Sequence, residues 1–277
     1  MLRKPAHGGS TKVEGLFIKL DAALAQQGIS RERFYKALNK FGEPDMLIEL
    51  LRAQGLPLYE HQGKFIYKTA IQPLSHGRFC IMDIETNGSK PTQGHTIIEV
   101  GAVMYQDGHV TDTFESFVQC DKIPPTIQEL TGISLDDTKN APSLKEVMYK
   151  FKTFLGNAVF VAHDVRFDYK FTSAMMERVG LEPLANRKLC TFELAQRTLK
   201  FERYGLKYLN EIMDLHQEAD HHRALSDAIT ALELLKKSLK KLPKKILTVE
   251  DLIRFSKEAP RLRKVKKEEN IIEEKKA

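Results

Sequence analysis

The stretch RFCIMDIETNG, residues 78–88, decides the fold of this chain. Its apolar residues run from Phe79 to Ile84, which is typical of a buried strand. Successive side chains of a strand point to opposite faces, so Asp83 and Glu85 share one face. Burying two unpaired charges is costly, and a divalent cation would compensate both of them. The alternative is an edge strand whose acids are solvated.

The segments that follow residue 88 alternate between strand and helix patterns. The turn Gln106-Asp107-Gly108 separates two strand patterns that come directly after the first strand. The predicted elements are strands over residues 96–105 and 110–118, a helix over 144–155, a strand over 158–162, a helix over about 167–179 and further helices up to residue 241. This order predicts an α/β fold with a mixed sheet.

The residues before this region follow a different pattern. Apolar residues at helical spacing predict a helix from Thr11 to Leu24, then a short helix capped by Ser30 and a third helix opened by Pro44. Two strand patterns, residues 58–61 and 64–67, flank a Gln-Gly turn and predict a β-hairpin. Three helices and a hairpin resemble a winged-helix module, which we expect over residues 1–75.

The third helix of a winged-helix module reads the major groove in the members that bind DNA. Here that helix has the sequence DMLIELLRAQ and offers Arg52 alone against Asp45 and Glu49. A docking or purely structural role is therefore favoured for the module over DNA reading.

The net charge of +6 is unevenly distributed along the 277 residues. Residues 1–75 carry +4, residues 76–235 carry −6 and residues 236–277 carry +8. A basic chain favours nucleic acid through phosphate attraction, but the acidic centre needs another means of approaching a polyanion. The basic C-terminal tail, predicted over residues 242–277, is a solvated segment, a docking peptide or a site of non-specific DNA attraction.

Neither a membrane span nor a signal peptide is indicated. No apolar run approaches the roughly 18 residues of a membrane span, and the first residues lack an apolar core. Cys80, Cys120 and Cys190 are widely spaced with no CxxC pair, which predicts reduced thiols. We therefore expect a cytoplasmic protein without membrane association.

Two later segments place acids at the start of predicted helices. They are VAHDVRFD, residues 161–168, and HHRALSDA, residues 221–228. Asp168 and Asp227 each fall in a first helical turn, where a carboxylate also favours the helix dipole. Each segment alone is therefore compatible with a structural role.

In their order and wording, DIETNG, VAHDVRFD and HHRALSDA resemble the three motifs of the DEDDh family of 3′→5′ exonucleases, the group that includes proofreading subunits of bacterial replicative DNA polymerases. The resemblance extends through Leu130-Thr131-Gly132-Ile133 and Tyr204-Gly205-Leu206 and covers roughly residues 77–240. It implies an exonuclease domain over residues 76–241 with a ribonuclease H-like mixed sheet and flanking helices.

The resemblance also implies a set of site residues. The metal-binding acids would be Asp83, Glu85, Asp168 and Asp227, and the general base would be His222. We also expect substrate contacts from Thr86, Asn87 and Gly88, a loop with exposed backbone amides and small side chains, from His163, and from Leu130 and Phe167 as wedges against bases. Core packing is the alternative for the two wedge residues. The chain departs from the usual pattern at Asp164, where the family has asparagine, and at Cys190, where an aspartate is common.

Phosphodiester hydrolysis independently favours this set. Two Mg²⁺ or Mn²⁺ ions about 3.5–4 Å apart can activate water, polarise the phosphate and stabilise the leaving oxygen. Such hard cations take carboxylate ligands and would invert the local field of the acidic segment. Histidine titrates near neutral pH and suits the base.

The predicted function is a 3′→5′ exonuclease acting on DNA 3′ ends, mainly single-stranded, in proofreading or repair. A replicative DNA polymerase subunit is a possible partner. One alternative is an RNA-trimming enzyme of the same family, because nothing in the sequence shows how a 2′-OH is treated. The other is an interaction module with a non-catalytic exonuclease-like scaffold, which the five intact positions disfavour.

Overall fold

The N-terminal module is built around a small antiparallel sheet. The computed structural model describes residues 20–216 and 222–264, so most of the predicted first helix lies outside the described residues, although residues 20–24 are helical. The elements that follow are β1 Ile29–Ser30, α1 Arg31–Leu38, α2 Pro44–Ala53, β2 Leu58–His61, β3 Lys64–Tyr67 and α3 Lys68–Ile71. The strands lie in the order β1-β3-β2.

Local sequence signals explain these elements. The Ser30 hydroxyl accepts a hydrogen bond from the backbone N–H of Arg33 and caps α1, while Pro44 opens α2. The hairpin of β2 and β3 has the bounds that the alternating pattern predicts. These elements are confirmed, whereas their classification as a winged-helix module stays a prediction.

The second sheet carries the first motif and has five strands. These are β4 Arg78–Thr86, β5 Ile97–Gln106, β6 His109–Phe117, β7 Val159–Ala162 and β8 Lys188–Cys190. The order is β6-β5-β4-β7-β8, with β4 antiparallel to β5 and parallel to β7. The predicted mixed sheet is therefore confirmed, and β4 lies at its centre.

Helices cover both faces of this sheet. In chain order they are α4 Pro125–Thr131, α5 Leu135–Thr138, α6 Leu144–Leu155, α7 Val165–Arg178, α8 Thr191–Thr198, α9 Leu206–Met213, α10 Ala224–Leu239 and α11 Val249–Glu258. Met82 and Ile84 of β4 pack in one core with α6 and α7, whereas Phe79 and Ile81 pack in another with α10 and α11. The alternation of β4 thus puts Asp83 and Glu85 on the α10 side.

The N-terminal module contacts the sheet at the amino ends of its parallel strands. Arg187, which precedes β8, lies with its guanidinium 4.6 Å from the ring centre of Tyr67 and donates to Asp21 at 2.6 Å. Because β4, β7 and β8 run parallel, their carboxyl ends lie together at the other end of the sheet, away from this contact. The module is therefore remote from the end of β4 that carries the acids.

The region beyond residue 242 differs from the predicted basic tail. Helix α11 begins with a capping box between Thr248 and Asp251, and its Val249, Leu252 and Ile253 are buried against the sheet. This amphipathic helix follows the lysine-rich run and completes the core on the α10 side of the sheet. The predicted division into domains stays a proposal, but residues 248–258 are part of the folded body.

No helix within residues 20–216 and 222–264 is both long enough and apolar enough to cross a membrane.

Removing Arg187 should destabilise the protein strongly. Arg187 forms a two-contact ion pair with Glu250, which is buried and also accepts from the Thr69 hydroxyl at 2.7 Å. In Arg187→Met the Glu250 carboxylate would stay buried without its cation, so the free energy of unfolding should fall by about 3–5 kcal/mol. Urea unfolding measures this change. A loss below about 1 kcal/mol, as for an exposed ion pair, would contradict it.

Candidate active site

Four acids from three elements converge at the carboxyl end of β4. Asp83 and Glu85 alternate along this strand, Asp168 lies in the first turn of α7, and Asp227 lies in the first turn of α10. The negative charges of Asp168, Asp227 and Glu85 all act on Asp83. The structure therefore brings together the four acids that the three motifs predicted.

The protonation of these acids shows how closely they are crowded. Burial raises the pKa of Asp83 well above its usual range, and the neighbouring carboxylates raise it further. Burial also raises the pKa of Glu85 to about 8, with Asp227 and Glu99 adding to the effect. For Asp168, burial raises the pKa to about 7 although backbone N–H groups oppose it. The protein alone thus leaves much of this negative charge uncompensated.

His222 stands beside this cluster. One ligand atom each of Glu85, His222 and Asp227 lie within 4.8 Å of one another. The His222 backbone has a φ of +69° and its N–H donates to Asp227 Oδ2 at 3.2 Å. This left-handed turn leads the chain into α10 and sets the imidazole next to two of the acids.

The donor set fits hard divalent cations. It consists of carboxylate oxygens, the ligands that Mg²⁺ and Mn²⁺ prefer, and the His222 imidazole lies beside them. The raised pKa values of Glu85 and Asp168 show that the folded protein resists full ionisation of the cluster. Bound cations would remove this resistance.

The predicted substrate residues fall into three groups, of which His163 forms the last. The first group is partly accessible: Leu130 is 53% exposed, and Phe167 is 38% exposed while its ring lies 5.6 Å from that of the buried Phe171. The second group is the loop after β4. The Asn87 amide donates to Lys122 O at 3.0 Å and its oxygen accepts from Thr96 N at 2.7 Å, so this side chain holds the loop together.

The neighbours of Asn87 are also enclosed. Thr86 and Gly88 are partly buried, and a Cβ at Gly88 would lie 2.6 Å from the His95 ring. The predicted role of residues 86–88 in approaching a terminal nucleotide stays a prediction, but the Asn87 N–H is not free for it, because it donates to Thr96 O at 3.0 Å.

His163 differs from its predicted role as a substrate contact. Its Nε2 lies 2.8 Å from Tyr204 O and its Nδ1 lies 3.0 Å from the Thr191 hydroxyl. Burial lowers the pKa of His163 to about 4, so the ring is neutral and bridges a carbonyl and a hydroxyl. With both nitrogens engaged, His163 links the second motif to α8 and to the loop before α9.

The two departures from the family pattern have simple structural explanations. Asp164 adopts a φ of +107° before α7, and aspartate and asparagine are the non-glycine residues that tolerate positive φ best. Cys190 is buried at the end of β8, where burial raises the pKa of its thiol. Neither residue is among the four converging acids.

Sequence reasoning missed Glu99 and Arg223. Glu99 of β5 is fully buried and forms an ion pair with Arg223, which immediately precedes α10. Glu99 could have been identified as Asp83 was, because it is an acid inside an apolar strand pattern, Ile97-Ile98-Glu99-Val100.

The metal-free protein should lose stability as the pH rises from about 4.5 to about 8. The pKa of Glu85 rises from an ordinary 4.5 to about 8 on folding, and that of Asp168 from 3.8 to about 7. In this range Glu85 and Asp168 of the folded protein hold protons that the unfolded chain has released, and neutral His163 offsets only part of this below a pH of about 6.5, so the free energy of unfolding falls with increasing pH. Urea unfolding in EDTA measures the trend, and Glu85→Gln should flatten it. A free energy that rises across this range would contradict the prediction.

Comparisons with known proteins agree with this geometry. Residues 80–235 match the exonuclease family RNase T. The chain is 34% identical over 190 residues to the PolC-type DNA polymerase III of Staphylococcus haemolyticus, covering 68% of this chain and 12% of that protein. It is 35% identical over 172 residues to the 3′-5′ exonuclease DinG of Bacillus subtilis, covering 60% of this chain and 18% of DinG.

Superposition on a solved nuclease structure agrees with the observed fold. The nuclease domain of 3′hExo, a DEDDh family member bound to rAMP, superposes with a TM-score of 0.52 at 18% identity, covering 60% of this chain and 92% of that one. This chain spans only 12% of the length of its PolC relative and 18% of the length of DinG. Because the family match covers more than half of the chain, this protein belongs to the RNase T exonuclease family.

Proposed function

We propose that this protein is a metal-dependent enzyme that removes nucleotides from DNA 3′ ends, mainly single-stranded, in replication proofreading or DNA repair. The observation that carries the proposal is the convergence of four carboxylates with His222 at the carboxyl end of the central strand β4. The similarity to PolC-type DNA polymerase III supports DNA as the substrate and a replicative polymerase subunit as the partner.

Asp83, Glu85, Asp168 and Asp227 would hold two Mg²⁺ or Mn²⁺ ions, which when bound polarise the phosphate and offset the charge that develops on its oxygens. The chain's own contribution is to fix these four carboxylates from β4, α7 and α10 before substrate arrives. This preorganisation removes the cost of gathering like charges at the moment of reaction.

His222 is the general base of the proposed reaction. Its imidazole lies beside Glu85 and Asp227, where it can take a proton from the attacking water. A neutral imidazole is needed for this step, and histidine titrates close to physiological pH. The backbone hydrogen bond from His222 to Asp227 keeps the two residues in a fixed relation.

Leu130 and Phe167 are the proposed contacts for the terminal bases. Both are large apolar side chains that remain accessible, and Phe167 is one residue before Asp168. Base stacking on an aromatic ring does not depend on sequence, which suits an enzyme that shortens any 3′ end.

A cytoplasmic location is consistent with the three free cysteines.

One assay tests the substrate and the metal requirement together. Matched 5′-labelled DNA and RNA oligonucleotides, single- and double-stranded, are incubated with Mg²⁺, with Mn²⁺ or with EDTA. We expect a ladder shortened from the 3′ end, fastest for single-stranded DNA and absent in EDTA. Faster trimming of RNA would support the exoribonuclease alternative, and no cleavage by the intact protein would support a scaffold.

A further inference from the structure

Glu99 is a fully buried carboxylate that the proposed metal and base assignments do not use. The register of β4 and β5 places it directly opposite Glu85. Two like charges facing each other across a sheet destabilise it, so this position requires compensation. Arg223 provides it, because its Nη2 lies 2.8 Å and its Nε 3.1 Å from Glu99 Oε1.

Glu99 also holds the start of α10. Its Oε2 accepts a hydrogen bond from the backbone N–H of Ala224 at 3.0 Å. Ala224 is the first residue of that helix, and an N–H at this position has no acceptor within its own helix. A side chain of the neighbouring strand therefore supplies the cap.

The first turn of α10 lies directly on β5. A Cβ at Gly101 would be 2.0 Å from the backbone nitrogen of Leu225, so no larger residue fits there without moving the helix. Gly101 is in turn paired with Asp83 across the sheet. This contact therefore fixes how closely α10 approaches β5, and β5 is paired with β4, the strand that carries Asp83 and Glu85.

Arg223 is fixed on more than one side. Its guanidinium lies 5.2 Å from the ring centre of Phe117 and 4.0 Å from a carboxylate oxygen of Glu115. This residue directly follows His222 and stands four positions before Asp227. A shift of Arg223 would therefore move the turn that carries His222 and leads to Asp227.

We propose that Glu99 is a positioning residue for the exonuclease reaction. Through Arg223 and the start of α10, it fixes where His222 and Asp227 lie relative to Asp83 and Glu85. Glu99 acts through these residues and does not itself contact the substrate. The proposal rests on the proposed function, since it assigns Glu99 a part in the same site.

Glu99→Gln tests this role. Glutamine has the same shape but lacks the charge and one acceptor oxygen, so both the arginine pair and the helix cap weaken. We expect kcat on single-stranded DNA to fall by about 10–100-fold, as is typical when the support of a metal ligand is lost. KM should stay close to its original value. Hydrogen exchange of the amides of residues 222–228 should become faster.

The matched control is Glu250→Gln. Glu250 is also a buried glutamate in a two-contact pair with an arginine, but it lies on α11 near the N-terminal module. Its variant should lose stability comparably while kcat and hydrogen exchange at residues 222–228 stay unchanged. An unchanged kcat in Glu99→Gln, or an equal loss in both variants, would overturn the positioning role.

Arg223→Lys decides the matter if Glu99→Gln does not fold. Lysine keeps the charge but cannot make the paired contacts of a guanidinium, so kcat should fall and exchange at 222–228 should rise. A folded Arg223→Lys protein with unchanged kcat and exchange would overturn the proposal. If the unaltered protein fails to cleave DNA, the proposed function fails, while the exchange comparison still tests the positioning of α10.

Discussion

Replacing Asp83 with asparagine should lower the rate of DNA hydrolysis by about 10³-fold or more. Asp83 is the acid on which the charges of the other three acids act, and asparagine keeps its volume while removing its charge. Cation binding contributes several kcal/mol to the stabilisation of phosphate charge, and each ~1.4 kcal/mol corresponds to a tenfold rate change. Single-turnover cleavage of a 5′-labelled oligonucleotide at saturating Mg²⁺ measures the loss.

The same variant should unfold at a higher temperature than the original protein in EDTA. Without cations the buried, crowded acids ionise only at a cost to the folded state, so replacing one of them with a neutral amide relieves that cost. Glu85→Gln, Asp168→Asn and Asp227→Asn should behave like Asp83→Asn.

A matched control is available four residues before Asp168. Asp164 is an exposed acid that is not one of the four converging acids, although its charge adds to the raised pKa of Asp168, and asparagine tolerates its positive φ. Asp164→Asn should therefore retain nearly full activity. Near-normal turnover in two of the four cluster variants would contradict the site assignment.

Replacing His222 with asparagine should lower the rate by about 10²–10⁴-fold, the usual contribution of a general base. Asparagine is the appropriate substitution because His222 has a φ of +69°, which alanine tolerates poorly. The variant thus removes the imidazole without adding backbone strain. Metal binding and DNA binding should be retained, and single-turnover cleavage across pH separates these effects.

The comparison that discriminates is with His221→Asn. His221 is adjacent in sequence but lies outside the described residues, and only His222 has the spacing of five residues to Asp227. His221→Asn should lose far less activity. A larger loss at His221 than at His222 would overturn the base assignment.

Much of the fold could be predicted from local patterns. The apolar run from Phe79 to Ile84 predicts β4, the Gln62-Gly63 turn predicts the hairpin, and apolar spacing predicts α6 with the bounds observed. These signals are short-range, because they depend on the two-residue period of a strand, on turn chemistry and on the helical period. The four acids could be predicted as a set from the resemblance of three motifs to a known family, because Asp168 and Asp227 taken alone are compatible with a helix-dipole role.

The contacts that escaped prediction join distant parts of the sequence. His163 meets Tyr204 across 41 positions, and Arg187 meets Asp21 across 166 positions. No local pattern contains the partner in either case. For α11, a helical turn or two over residues 249–255 could be predicted, but the lysine-rich run beside it suggested a solvated segment, so its packing on the sheet could not.

The docking of α11 and of Arg187 has a consequence for anyone shortening this gene. The family resemblance suggests cutting near residues 76 and 241, at the ends of the matched region. The first cut would deprive Glu250 of the Thr69 hydroxyl and Arg187 of Asp21, and the second would uncover the apolar surface that Val249 and Leu252 close. A minimal expression fragment of the nuclease therefore has to keep both flanking pieces, even though neither carries an active-site residue.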